Sequence, residues 1–263
     1  MNIEQTQKNL LAAIANGLQN DEFKMYLQFI VDNKTKGIIS AEALSRWEIT
    51  ENEVVYPGKY IGAMQESGMI TQLDYLIFEK ACRKLSEWSN TQLCDVSISC
   101  NFTRITISEV DFVKKITEIA ERYNFEHHKL ILEITEDSVE KNLDIARDNL
   151  LTAKTLGFTV ALDDIGSGYT SLRNICDYPI DLVKIDRAML LLTDTDRGKK
   201  LFHGIVCLMH SLDLKLVCEG VETEEQNTFV GESNCDFVQG WYYSVALPEG
   251  KAEAFANEYM SRL

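Results

Sequence analysis

The sequence predicts an α/β fold, a (β/α)8 TIM-like barrel in a single domain, and three observations carry that prediction. Short, nearly continuous apolar runs recur along the chain, as strands buried on both faces require. Helix-like stretches separate them, giving seven or eight strand–helix units in 263 residues, the size of a closed barrel of ~250 residues. Nearly every strand also carries an ionisable or amide group at or near its C-terminal end. A barrel gathers those ends on one face, whereas an open doubly wound sheet, the alternative fold, spreads them along an edge.

The elements follow in order. Residues 1–20 read as an amphipathic helix with Leu10, Leu11, Ile14 and Leu18 on one face. FKMYLQFIV (23–31) and GIISAEALSRW (37–47) are two strands joined through DNKTK, whose Asp-Asn suits a turn. Helical stretches follow from about Tyr60 and over Leu73–Trp88, then the strand CDVSISCN (94–101) and a helix over about 108–123. KLILEIT (129–135) is the next strand, and a helix over about 139–156 ends at Gly157, a plausible C-cap. TVALDD (159–164), LVKID (182–186), KLVCEG (215–220) and DFVQGW (236–241) complete the strands, and EGKAEAFANEYMSRL closes the chain as a helix.

Composition bounds the partners. A net charge of −15 argues against a nucleic-acid polymer or an anionic membrane. The seven cysteines form no CxxC pair and suit a reducing compartment. The N-terminus lacks a signal-peptide pattern, and no apolar run approaches the ~20 residues a membrane span needs. A soluble, cytoplasmic protein is expected. With no composition break, residues 1–263 read as one unit whose motifs occupy 23–248.

The strand-end groups are Glu42, Asn101, Glu133, Asp163, Asp164, Lys184, Asp186, Glu219 and Gln239. Each has a bland reading: Asp164 as a turn former or N-cap, Glu133 as a salt-bridge partner of Lys184, Asn101 as a donor to buried backbone. A buried carboxylate flanked by apolar residues, as Glu133 is, costs several kcal/mol unless a cation or donors meet it. Jointly these groups read as a hard-cation site. Carboxylates and an amide without His or Cys suit Mg²⁺ or Mn²⁺. Adjacent Asp163 and Asp164 could serve two ions roughly 3.5–4 Å apart, the arrangement that activates water in phosphoester cleavage. The following IGSGYTSL lacks the third glycine of a dinucleotide loop and is read as a loop leaving the ligands, with a helix starting over 169–176.

These residues resemble a known family. AEALSRW (41–47) is similar to the EALxRW signature of EAL domains, bacterial phosphodiesterases specific for cyclic di-GMP. NFT (101–103) resembles NxS, LEITE (132–136) matches LEITE, and DDIGSGYTSL (163–172) resembles DDFGTGYSSL. VKIDR (183–187), EGVET (219–223) and QG (239–240) follow in the family order, so the resemblance spans about Gln28 to Pro248. It implies a metal-dependent barrel that opens cyclic di-GMP to linear pGpG. Glu42, Asn101, Glu133 and Asp163 would hold one ion; Asp163 and Asp164 would help hold a second, with Asp186 and Glu219 near it. Water between the ions would attack phosphorus, with Lys184 stabilising charge and Glu219 accepting the proton. Glu136 would anchor the 164–175 loop. Gln28, Leu44, Arg46, Glu222 and Gln239 would contact substrate, although Arg46 also reads as a surface ion pair.

Some residues depart from the family pattern. Phe29 stands where a Pro usually follows Gln28, and Gly62 and Gln65 replace a usual Pro and Glu. SVALP (244–248) lacks a usual basic-Pro pair, which predicts weakened substrate contact rather than lost catalysis. The chain length leaves no room for a sensor or cyclase domain, so a stand-alone enzyme is expected, with a regulatory partner supplying input. A homodimer through the helix and loop after the DD strand is a further expectation. Two rival readings are an inactive EAL-fold module that captures cyclic di-GMP or a protein, and an enolase-like lyase with three strand-end acids.

Overall fold

A five-residue connection cannot cross over a sheet, so the strands on either side of DNKTK must run antiparallel. The computed structural model, which describes residues 3–50, 53–134, 143–166 and 172–263, shows that hairpin as the first feature after the N-terminal helix. Strand β1 (Phe23–Asp32) pairs antiparallel with β2 (Ile38–Thr50), and the register sets Gln28 opposite Glu42. A short β3 (Glu53–Val55) folds back on the end of β2. Strands β4 (Ser97–Phe102), β5 (Leu130–Ile134), β6 (Thr159–Ile165), β7 (Leu182–Ile185), β8 (Lys215–Cys218) and β9 (Phe237–Gln239) then add in parallel, starting from β2. β9 returns to β1 and pairs with it antiparallel, which closes the cylinder. A two-residue β10 (Leu247–Pro248) lies along β1 outside the ring.

The barrel is therefore mixed. The expected all-parallel sheet is corrected at one strand, β1, which runs against both neighbours. Its reversal brings Gln28, a mid-strand residue, to the end of the barrel where the other strands finish.

Helices cover the outside. Residues from Tyr60 form two helices, α2 (Ile61–Ser67) and α3 (Ile70–Trp88) in the chain order that starts with α1 (Ile3–Gln19), broken at the left-handed Gly68. Then come α4 (Arg104–Ile107), α5 (Phe112–Ala120), α6 (Leu143–Thr155), α7 (Leu172–Asp177), α8 (Arg187–Leu191), α9 (Asp196–Ser211), α10 (Glu224–Glu232) and α11 (Glu249–Met260). The expected start of the helix before Gly157 falls in 135–142, outside the described residues. On α1, Ile14 is fully buried while Leu10 and Leu18 pack at the edge of the core. Among the described residues no helix is long and apolar enough to cross a membrane.

Inside the ring, Ile30, Ile131, Ala161, Leu182 and Val217 form an apolar plug. Burying such side chains contributes roughly 1.5–3 kcal/mol each. Two residues further along β5 and β7, and just past the end of β8, the inward positions become Glu133, Lys184 and Glu219. The apolar plug thus gives way to a charged layer at the strand ends.

Candidate active site

Lys184 on β7 sits at the centre of that layer with no exposed surface. Its Nζ lies 2.7 Å from Glu219 Oε1, 3.1 Å from Glu42 Oε2, 3.1 Å from Glu133 Oε2 and 3.6 Å from Asp163 Oδ1. Five strand ends thus contribute to one cluster of four acids and one base. Burial alone would lower the ammonium pKa, but the surrounding carboxylates of Asp163, Glu133, Glu219 and Glu42 hold it well above its usual value. The carboxylates around it thus favour the charged form of Lys184.

The acids respond differently. Burial raises Glu133 to about 8, with Lys184 opposing the shift and Glu42 and Asp163 adding to it. Burial likewise drives Glu219 well above the carboxylate range and raises Asp163. Glu42 moves the other way. Burial raises it, but Lys184 and the amide donors of Gln239 and Asn101 together bring it below its ordinary value. The donors are at hydrogen-bond distance: Gln239 Nε2 donates to Glu42 Oε2 at 2.7 Å, and Asn101 Nδ2 to Glu42 Oε1 at 2.8 Å. One cation cannot neutralise four carboxylates, so the layer favours additional positive charge.

Consecutive residues of a strand normally face opposite sides. Asp163 and Asp164 escape that rule because the β6–β7 register is interrupted between Leu162 and Ile165. Asp164 takes a left-handed conformation with φ of 63°, and its amide donates to Asp163 Oδ1 at 2.8 Å. This kink brings one carboxylate oxygen from each of Asp163, Asp164 and Glu219 within 4.8 Å of one another. Left-handed backbone at a non-glycine costs about 1 kcal/mol or more, and here it turns the Asp164 carboxylate toward Asp163 and Glu219.

Above the acids lies a cavity of about 300 Å³, walled on one side by Gln28, Glu42, Leu44 and Gln239 and on the other by Arg187, Glu222 and Trp241. A second cavity of about 300 Å³ lies on the other side of Leu44, between β2, α2, α3 and β4, and reaches Asn101. At the rim Arg187 forks onto Glu222 at 2.7 and 3.0 Å. Gly220, with φ of 68°, is required where the Arg187 stem crosses it, since a Cβ there would lie 2.5 Å from Arg187 Cβ. Gln226 Oε1 accepts from the Glu222 amide at 2.8 Å and closes a capping box with Thr223 at the start of α10.

The profile of the EAL domain matches residues 11–246. The chain belongs to the EAL domain family. It is 29% identical over 247 residues to the cyclic di-GMP phosphodiesterase NbdA of Pseudomonas aeruginosa, an alignment covering 94% of this chain and 32% of that protein. The EAL enzyme Bd1971, solved with cAMP and cyclic di-GMP bound, superposes with a TM-score of 0.90 at 26% identity, covering 97% of this chain and 70% of Bd1971. The PaMucR phosphodiesterase in complex with c-di-GMP superposes with a TM-score of 0.86 at 28% identity, covering 93% and 99%. The chain spans about one third of the length of the curated relatives it matches.

Most residues expected from the EAL motifs meet at the mouth. Glu42, Asn101, Glu133, Asp163, Lys184, Glu219 and Gln239 form one contiguous network, and Asp164 joins it through the kink. Gln28 contacts it from β1, its Oε1 lying 3.4 Å from Gln239 Nε2. Leu44 stands between the two cavities. Arg46 lies four residues beyond Glu42 on β2, past the charged layer, its guanidinium over the rings of Tyr26 and Tyr56 at 5.6 and 5.1 Å, and among the described residues it makes no ion pair. Asp186 is outside the three-acid group; its Oδ1 accepts from the Ala188 amide at 2.8 Å and caps α8. Glu136 lies outside the described residues, as do 167–171 of the loop it was expected to anchor.

The motif departures acquire a structural reason. Phe29, in place of the usual Pro, has an amide that donates to Ser244 Oγ at 3.1 Å, and Gln28 Nε2 donates to the Ser244 carbonyl at 3.0 Å. The altered SVALP segment therefore anchors Gln28. Sequence reasoning passed over Arg187 and Trp241 as wall residues, although VKIDR and FVQGW placed both beside strand ends.

Proposed function

We propose that this EAL domain is a divalent-cation-dependent phosphodiesterase that hydrolyses cyclic di-GMP to linear pGpG. One observation carries the reading: three carboxylates on two strands offer oxygens within 4.8 Å of one another at the floor of an open cavity, beside a buried lysine. The named activity of NbdA and the ligand in the PaMucR structure support the substrate. Two adjoining cavities flanking Leu44 suit a two-fold ligand with two bases.

The donor set fits a hard cation. It is all oxygen, and Glu133 Oε1 is buried with no hydrogen-bond donor among the described residues. Asp163, Asp164 and Glu219 would hold one Mg²⁺ or Mn²⁺, and Glu42, Asn101 and Glu133 with Asp163 another. Such cations supply charge neutralisation and a lowered pKa for water. The protein's own groups do the rest. Lys184, whose charged form its carboxylate neighbours favour, offsets the negative charge that develops on phosphorus oxygens. Glu219, held 2.7 Å from the Lys184 ammonium, accepts the proton of the attacking water in its ionised form. Gln28 and Gln239, fixed by Ser244 and Glu42, orient the substrate against the floor.

The test is to incubate the purified protein with cyclic di-GMP and Mg²⁺ or Mn²⁺ beside Glu42→Ala and Glu219→Ala, and to resolve products by chromatography. Linear product from the parent alone is expected. Equal product from all three would overturn the assigned roles, and binding without turnover by the parent would make this a capture module.

A further inference from the structure

The cavity above the acids poses a problem of affinity. Its floor carries Glu42, Asp163 and Glu219, its rim carries Glu222, and its single cationic wall residue among the described ones, Arg187, is already paired to Glu222. SVALP (244–248) stands where the family usually has a basic-Pro pair, and Val245 within it is exposed at the surface. An anionic nucleotide thus receives little positive charge from this wall, and the wall's share of the affinity has to come from contacts that carry none.

Trp241 supplies such a contact. The chain has three tryptophans; Trp47 and Trp88 are 4% and 2% exposed, whereas Trp241 is 67% exposed and lines the cavity. A tryptophan that open to water gains nothing from core packing, and its large flat face is free to receive a ring.

The backbone beneath it is rigid. Gly240 packs so closely on the Val221 backbone that a Cβ there would lie 2.1 Å from the Val221 carbonyl oxygen. The Tyr242 amide donates to the Val221 carbonyl at 3.0 Å, and the Val221 amide donates to the Gln239 carbonyl at 3.2 Å. The Tyr243 and Ser244 amides both donate to the Gly240 carbonyl at 3.0 Å, and Ser244 is tied in turn to Phe29 and Gln28. The turn bearing Trp241 is therefore stitched to the Glu219 loop on one side and to β1 on the other. A ring on a pre-formed turn stacks on a ligand at small entropic cost.

We infer that Trp241 is a substrate-binding residue that stacks on one purine base of the cyclic dinucleotide, standing in for the absent basic contact. The inference rests on the function proposed above and adds a base-stacking wall to it. Base–aromatic stacking by one ring is worth roughly a 5- to 150-fold change in affinity.

The experiment is a fluorescence titration of the full chain with cyclic di-GMP in Ca²⁺, paired with steady-state hydrolysis in Mn²⁺, for the parent, Trp241→Ala and Trp241→Phe. With Trp47 and Trp88 buried, quenching on binding reports Trp241. Expected are quenching in the parent, a KM raised roughly 5- to 150-fold with kcat nearly kept in Trp241→Ala, and substantial rescue in Trp241→Phe. A parent that binds and cleaves the dinucleotide without quenching, or a Trp241→Ala variant with unchanged KM, would overturn the stacking while leaving the phosphodiesterase reading intact. A fall in kcat alone would also overturn it, because a stacked base far from phosphorus contributes to binding. A parent that neither binds nor cleaves the dinucleotide would overturn both.

Discussion

Replacing Lys184 by Met should expose how much electrostatic repulsion the barrel mouth contains. The substitution keeps the volume and removes a cation that lies 2.7 to 3.6 Å from four carboxylates on four other strands. A single charge pair at about 3 Å in an effective dielectric near 20 is worth roughly 5 kcal/mol, so losing four contacts at once is not survivable with every acid ionised. The acids will instead take up protons, which limits the cost to the ~3–5 kcal/mol typical of a broken buried pair. Each additional proton held by the folded variant makes that cost fall by about 1.4 kcal/mol per pH unit as the medium is acidified. Urea unfolding in EDTA, at about pH 8 and about pH 5.5, measures both quantities. The expected result is a penalty of several kcal/mol at the higher pH that shrinks at the lower. A penalty that is the same at both, or below about 1 kcal/mol throughout, would refute the picture of Lys184 as the counter-ion of the layer.

Other predictions follow from the same layer. Burial raises Glu133 from 4.5 to about 8, and Asp163 and Glu219 also shift upward. Between those pH values the folded metal-free chain binds more protons than the unfolded one, so its stability falls as pH rises. The lowered Glu42 acts in the opposite sense, with stability lost only as pH falls through the acid range below that window. Thermal melts in EDTA across pH should show the decline, and Mg²⁺ should flatten it; a melting temperature that climbs through the same window without metal would contradict the assignment. Asp164→Gly relieves the left-handed backbone at φ of 63° and should gain up to about 1 kcal/mol in stability, while turnover drops at least about 100-fold through the lost ligand and kink-directed oxygen. Calorimetry and product analysis on one preparation decide it, and a variant that is both less stable and fully active would count against the kink's role.

Much of this architecture can be read along the chain. Apolar runs such as TVAL and LKLVC, each ending in acids, announce buried strands with functional tips, and Glu133 within LILEIT demands a partner that Lys184 provides. What one-dimensional reading misses are the effects of chain reversal and local irregularity. β1 runs against its neighbours because a short turn precedes β2, and this reversal, rather than a strand end, delivers Gln28. Asp163 and Asp164 share one side only because of a register break that no periodicity reveals. Asp186 looks like another ligand in VKID, yet its oxygen caps the next helix. Trp241 and Arg187 follow strand ends closely, but only the closed ring shows that both face the same opening.

The most direct measurement is an anomalous-scattering map from crystals of the protein soaked with Mn²⁺ and cyclic di-GMP. Strong peaks bounded by Asp163, Asp164 and Glu219, with a second touching Glu42, Asn101 and Glu133, are the expected result. Manganese bound elsewhere, with the ammonium of Lys184 as the sole positive charge among those carboxylates, would contradict it.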